Sequence, residues 1–325
     1  MKKYCNRAFI LLIFVWMLTV TASAAKMLVP VGQVVGLELK NDTVTVAAFD
    51  RQISAETEKA GLKVGDRILK VNGKPVHSVT DVRQALTQSD GTVRLQIRRG
   101  QKTEDLRLQP AITSEGPRLG VYLKQGITGV GTVSWYDPDT GKFGTLGHGV
   151  NDGNNLLQMT EGSAYEASVV SVRRGLIGKP GQLMGSVQGE TPLGKLYKNT
   201  EQGVFGTSQT GWTGEPLPTG QAKVGPATIR STVRGDTVQE YSVEILKVYP
   251  KANASGRNIL LHITDPALLE ATGGIVQGMS GSPIIQDGKL VGAVTHVLIN
   301  DPTMGYGIFI ENMLDAAKMP MEKAS

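Results

Sequence analysis

The sequence predicts a mainly β protein of two domains, a small α+β unit followed by a larger body built as a β-sandwich or barrel. Three observations carry this. With 325 residues the chain is too long for one ordinary core. Its 40 glycines and 5 % aromatic residues suit strands joined by tight turns. Short β-branched runs bounded by glycine recur along the chain, while helical periodicity is confined to a few brief stretches.

The first element is a leader, residues 1–25. Lys2, Lys3 and Arg7 precede an apolar run, Phe9-Ile10-Leu11-Leu12-Ile13-Phe14-Val15-Trp16-Met17-Leu18, and Ala22-Ser23-Ala24 follows as a small-residue cleavage pattern. This reads as a signal peptide. The uncharged stretch from Ala8 to Ala25 also reaches the lower limit of a membrane span, so an uncleaved anchor stays open. Both readings put the body outside the cytoplasm. The single cysteine, Cys5, lies in this leader, which leaves the rest without disulfides and without a zinc-type spacing. The net charge of +5 is spread among acids, and the cluster Arg98, Arg99, Lys102 fits a solvated strand end rather than a nucleic-acid site.

Residues 27–110 form the small unit. Val34-Val35-Gly36-Leu37-Glu38-Leu39 and Thr43-Val44-Thr45-Val46 read as strands about a turn at Asn41-Asp42. A short helix runs from Ser54 to Lys59, with Gly61 as its left-handed stop. Arg67 to Val71 is a strand ending in the turn Asn72-Gly73. Ser78 opens a second helix carrying Val79, Val82, Ala85 and Leu86 at helical spacing, and Thr92 to Arg99 alternates as a last strand. The run Ala60-Gly61-Leu62-Lys63-Val64-Gly65-Asp66-Arg67-Ile68-Leu69-Lys70-Val71-Asn72-Gly73 resembles the central signature of PDZ domains of the bacterial protease-associated kind. That resemblance implies a peptide added as a strand at a sheet edge, its terminal carboxylate held by backbone amides. By analogy the binding loop lies near Val35, Gly36 and Leu37. Gly36 then allows close backbone approach, or it serves only a turn.

Residues 111–325 form the body. Gly120-Val121-Tyr122-Leu123, residues 129–136 and residues 167–172 read as strands, and only Glu311 to Lys318 reads as a helix. Within it, Gly278-Met279-Ser280-Gly281-Ser282-Pro283 precedes a hairpin turning at Gln286-Asp287-Gly288-Lys289. A serine that cleaves an amide needs a hydroxyl free on a tight turn, converging backbone amides for the oxyanion, and a base. Glycines 278 and 281 permit the turn, and the amides of Gly278 and Ser280 are the natural oxyanion hole. An ordinary serine in a glycine-rich turn is the plain alternative. No strand–turn–helix context follows, which sets this apart from the lipase elbow. The segment resembles the nucleophile region of chymotrypsin-like serine peptidases.

Gly147-His148-Gly149 ends a strand and leaves a histidine reachable, an odd setting for a structural one. Of the four histidines, His77 sits in the small unit, His262 lies within a strand and His296 fits a pocket wall or core, so His148 is the base. The pocket for the residue before the cut falls near Gly274 and Thr295. A carboxylate should orient the base. Asp265 ends a strand shortly before Ser280, with Asp137, Asp139 and Asp152 as rivals.

The leader, one PDZ domain, Thr145-Leu146-Gly147-His148-Gly149 and the segment from Asp265 to Pro283 together resemble the SpoIVB peptidase family over nearly all of the chain. The resemblance implies a triad of His148, Asp265 and Ser280, with no metal or organic cofactor. It implies an exported endopeptidase acting between forespore and mother-cell membranes during sporulation. Its partners would be its own chain, which it cleaves, and a membrane-bound regulator of an intramembrane metalloprotease, leading to sigma-factor activation. The short aspartate-to-serine spacing departs from ordinary chymotrypsin-like order. A non-catalytic PDZ adaptor with a protease-like body is the alternative. A PDZ-bearing stress protease is disfavoured by the PDZ-first order.

Overall fold

The computed structural model describes residues 25–249 and 256–318, so the expected leader lies outside the described residues. The chain starts with β1 (Met27–Pro30), β2 (Val34–Phe49), α1 (Ala55–Lys59), β3 (Arg67–Val71), β4 (Lys74–Pro75), α2 (Val79–Thr87), β5 (Val93–Arg99) and β6 (Lys102–Leu108). The hairpin β7 (Ala111–Thr113) and β8 (Gly116–Arg118) leads into β9 (Val121–Tyr136) and β10 (Lys142–Thr145). Next come β11 (Asn151–Asp152), β12 (Asn155–Leu156), β13 (Glu161–Arg173), β14 (Gln182–Thr200), β15 (Gly203–Ser208) and β16 (Leu217–Pro218). The last third holds β17 (Gly225–Arg234), β18 (Thr237–Val248), β19 (Ile259–Ile263), α3 (Pro266–Thr272), β20 (Pro283–Gln286), β21 (Lys289–Leu298), β22 (Asp301–Phe309) and α4 (Ile310–Lys318).

Local chemistry sets the small unit. Asn72 and Gly73 take the left-handed conformation that a two-residue hairpin turn requires (φ 50° and 81°). Ser78 and Asp81 form a reciprocal capping box that starts α2. Val82, Ala85 and Leu86 on the inner face of α2 then pack with Ile68, Leu95 and Ile97 of the sheet. This α+β unit is the PDZ domain.

Two barrels make up the body. β2 bonds β13 on one edge and β9 on the other, and the path β13–β14–β15–β10–β9 closes the ring. The second barrel closes in the order β17–β18–β19–β22–β21–β20. Leu28, Trp135 and Phe205 of the first barrel meet Leu290, Ala293 and Ile308 of the second, and α4 seals this seam with Met313 and Leu314. Closure leaves few bare edges. The fold is thus a double β-barrel, as the chymotrypsin-like resemblance implies, behind a PDZ domain.

The boundary at residue 110 is drawn differently by the structure. The core of the small unit runs from Val44 to Leu119, whereas Val29, Val35, Leu37 and Leu39 belong to the core of the first barrel. β1 and the first half of β2 are therefore parts of the body. The strands expected on either side of Asn41-Asp42 are one strand with an irregularity between Leu39 and Val44, and β9 is likewise continuous where two strands were expected. Together β2 and β9 thread both units.

Candidate active site

His148 follows β10 at the junction of the barrels. Gly147 is there because a side chain would strike the second barrel: a Cβ at 147 would stand 2.8 Å from Thr295 Cγ2 and 3.0 Å from Ile308 Cγ2. On the other flank, Gly149 packs against Thr200, and the Asn199 carboxamide accepts from Val150 N (2.9 Å) and donates to Val150 O (2.8 Å), pinning the loop. His148 Nδ1 lies 2.9 Å from the Gly149 carbonyl oxygen. A carbonyl can only accept, so Nδ1 carries the proton and Nε2 holds the free lone pair.

Ser280 sits on the turn before β20. Gly278 and Gly281 adopt φ 99° and 100°, a region open to glycine. Gly281 is pressed against the Thr132 carbonyl and the Leu146 amide, which seats the nucleophile turn on β9 and on the loop of His148. Thr132 fastens it, its amide donating to Ser280 O (3.0 Å) and its hydroxyl to Gly278 O (2.8 Å). Within the turn Met279, Gly281 and Ser282 donate their amides to Val276, Val294 and Met279 carbonyls, while those of Gly278 and Ser280 take no part in these bonds. Two amides on one turn without a backbone partner among the described residues are donors that an oxyanion hole can draw on.

The two side chains line one cleft of about 510 Å³, walled by Leu37, Leu146, Ile275, Val276 and Val297. In this state they are not bonded to each other: Ser280 Oγ donates to the Thr295 carbonyl (2.8 Å). Burial pushes the His148 imidazole below its ordinary value, opposed by the Gly149 carbonyl and the charge of Glu201. His296 lines the same wall, its ring 5.2 Å from that of His148. Burial, His148 and Arg257 lower it to about 4.

Asp265 is not brought to this cleft. Its carboxylate caps α3, accepting from Leu268 N (3.0 Å) and Ser242 N (3.3 Å), and Gly273 closes that helix in the left-handed conformation. An aspartate before proline and a glycine pair beginning eight residues after that aspartate are helix start and stop signals, so Asp265 opens a helix as well as ending a strand. The rivals are elsewhere too. Asp137 is buried; desolvation would raise it, but the Lys26 ammonium (2.5 Å) and the Thr140 hydroxyl hold it below the usual carboxylate range. Asp139 takes part in the same turn, and Asp152 pairs with Arg67 at 2.6 Å. The carboxylate whose charge reaches His148 is Glu201, on the exposed turn between β14 and β15. No local motif marks it; only barrel pairing brings this turn to residue 149.

The edge expected to take a peptide is not open. Val35, Gly36 and Leu37 pair with Glu166, Tyr165 and Ala164 on one side and with Gly131, Val130 and Gly129 on the other. Both edges are occupied, so no peptide can be added there, and the expectation is corrected. Gly36 lets Val187 lie close over β2, since a Cβ would stand 2.5 Å from Val187 Cγ2. Residues 121–125 of β9 instead bond only β2, with no strand on their other edge among the described residues, and α2 flanks them. Leu119 and Gly120 (φ 68°) lead into this edge, and Val121, Leu123 and Val79 line it. The signal was Leu119-Gly120-Val121, an apolar–glycine–apolar step before an alternating strand.

Two family models agree with this anatomy. A family model described as SpoIVB peptidase S55 matches residues 115–314, and one described as PDZ domain matches residues 58–99. Among curated proteins, a candidate zinc metalloprotease of Rhizobium meliloti (strain 1021), R01501, is 35 % identical over 88 residues, 27 % of this chain and 23 % of that protein. A candidate zinc metalloprotease of Helicobacter pylori (strain J99) is 32 % identical over 95 residues, 28 % of this chain and 25 % of that protein. The chain thus spans about a quarter of the length of these curated relatives. Among solved structures, the active form of the Rv3671c protease from M. tuberculosis matches with TM-score 0.34 and 15 % identity, covering 62 % of this chain and 78 % of that one. The PDZ domain of the SdrC-like protein from Listeria monocytogenes matches with TM-score 0.22 and 24 % identity, covering 25 % of this chain and 87 % of that one.

Proposed function

The chain belongs to the SpoIVB peptidase S55 family and is a serine peptidase with an N-terminal PDZ domain, and we propose that it is an exported endopeptidase of sporulation signalling that acts through Ser280 and His148. The observation that carries the site is the meeting of the two residues in one cleft, with two unspent amides on the nucleophile turn. Ser280 Oγ leaves the Thr295 carbonyl, gives its proton to His148 Nε2 and attacks the peptide carbonyl. The oxyanion settles on the amides of Gly278 and Ser280. His148 returns the proton to the leaving amine, and water releases the acyl-enzyme.

The substrates proposed are the chain's own N-terminal region and a membrane-associated regulatory protein that governs an intramembrane metalloprotease. The place proposed is the space between forespore and mother-cell membranes. Support comes from the family and from the leader pattern of residues 1–25. The PDZ edge at residues 121–125 would dock a peptide terminus of either substrate. Mass spectrometry of the exported protein tests this: the wild type loses N-terminal residues and Ser280→Ala does not. Equal trimming of both would remove the self-cleavage role.

A further inference from the structure

His296 is a second imidazole in the cleft, and the serine-and-histidine reading does not use it. Its ring lies 5.2 Å from that of His148, tilted by 44°. Its Nδ1 is buried and has no hydrogen-bond partner among the described residues. A buried polar atom without a partner is costly, and such atoms in native proteins call for an explanation. His296 stands on β21 beside Thr295, whose carbonyl receives the Ser280 hydroxyl, and pairs across the sheet with Tyr306 of β22. The charged groups that face the pair are Glu201 from the β14–β15 turn and Arg257 ahead of β19, the latter over the Tyr306 ring. No carboxylate among the described residues lines the cleft, and Asp265 is committed to α3.

Resting on the Ser280 and His148 reading, we propose that His296 is a positioning residue of the catalytic site, its spare ring nitrogen accepting from His148 Nδ1–H beside the Gly149 carbonyl, so that Nε2 stays free to take the serine proton and return it to the leaving amine. An imidazolium donates through both ring nitrogens, and since its Nε2–H goes to the leaving amine, Nδ1–H is the one that neighbours hold. The Gly149 carbonyl supplies one backbone acceptor. A neutral neighbouring ring supplies another where a carboxylate is absent, and a small turn of the two rings brings their edges within hydrogen-bond reach. His296 is suited to this because burial, His148 and Arg257 lower it to about 4, which keeps its ring neutral near neutral pH.

Hydrolysis of p-nitrophenyl butyrate by the full chain, measured against pH, tests the assignment. His296→Phe keeps the ring shape and removes the nitrogens; its kcat should fall about a hundredfold with KM unchanged, the cost of a misplaced base. Its acid limb should move to lower pH, because the protonated form of His148 has lost a partner. His296→Gln restores a polar atom and should recover about tenfold of that loss. Wild-type kcat and an unmoved limb in both variants would overturn the inference, and so would a rise in KM alone, which marks a substrate wall. If His296→Phe fails to fold, the Gln variant alone decides by its limb and kcat. A wild type that neither turns over the ester nor takes a fluorophosphonate on Ser280 overturns the serine reading itself, which separates the two failures.

Discussion

A Cβ at residue 281 would fall inside contact with the Thr132 carbonyl oxygen, at a backbone angle of φ 100° that suits glycine. Gly281→Ala therefore strains the backbone and lifts the nucleophile turn off β9 together. We expect a loss of about 3 kcal/mol in thermal or urea unfolding, with hydrolysis lost as well. The histidine pair makes the pH response specific. His296 titrates at about 4 in the folded chain against an ordinary value near 6.5. Below 6.5 the unfolded chain therefore binds more protons. The stability that neutral His296 contributes is complete above about 6.5 and drains away as pH falls toward about 4. Urea midpoints of the wild type should fall through that window, and His296→Phe should flatten the fall. That a histidine and a serine sit on crowded turns was legible in the sequence, because a glycine that must admit a close neighbour is a local demand, written at residues 147 and 278 against side chains and at 149 and 281 against backbone. The neighbourhood of His296 was not. It depends on β21 crossing to a loop about 150 residues earlier in the chain, and no local spacing records that.

Helix α3 shows how an element can be misread from one residue. Asp265 stands in the right place for an orienting carboxylate, yet its oxygens satisfy amides at the helix start and on Ser242. As a cap, Asp265→Ala should cost about 1 kcal/mol, and Asp265→Ser, another capping residue, should keep kcat/KM within a few-fold. A fall of several thousandfold in the Ser variant, with melting unchanged, would return Asp265 to the triad. β9 was misread for a different reason. Its two halves carry different patterns, half-exposed before Gly126 and buried after Gly131, so they looked like separate strands. Which edge stays open follows from pairing with β2, some eighty residues away in sequence, and not from either half alone. Hydrogen exchange should report it. A peptide in excess should protect the amides of residues 121–125, whereas those of residues 35–37 should exchange slowly with or without it.

For the whole molecule, the sharing of β2 and β9 means that the PDZ domain and the first barrel cannot be parted at residue 110. A fragment beginning at residue 111 lacks β1 and β2 and leaves the first barrel open along β9 and β13. Circular dichroism should find no cooperative melt for it, while the chain from residue 25 melts as a folded protein. The mainly β class and the order of PDZ unit and body were legible from composition and motif. The domain boundary was not, because strands at the start of the chain complete a barrel made mostly of later ones. The cleft that His148 and Ser280 share lies between the same two barrels. The most direct test is fluorophosphonate labelling of the full chain, with the adduct located by peptide mapping. The account predicts an adduct on Ser280 in the wild type and almost none in His148→Ala. An unlabelled wild type, or equal labelling of the two proteins, would contradict it.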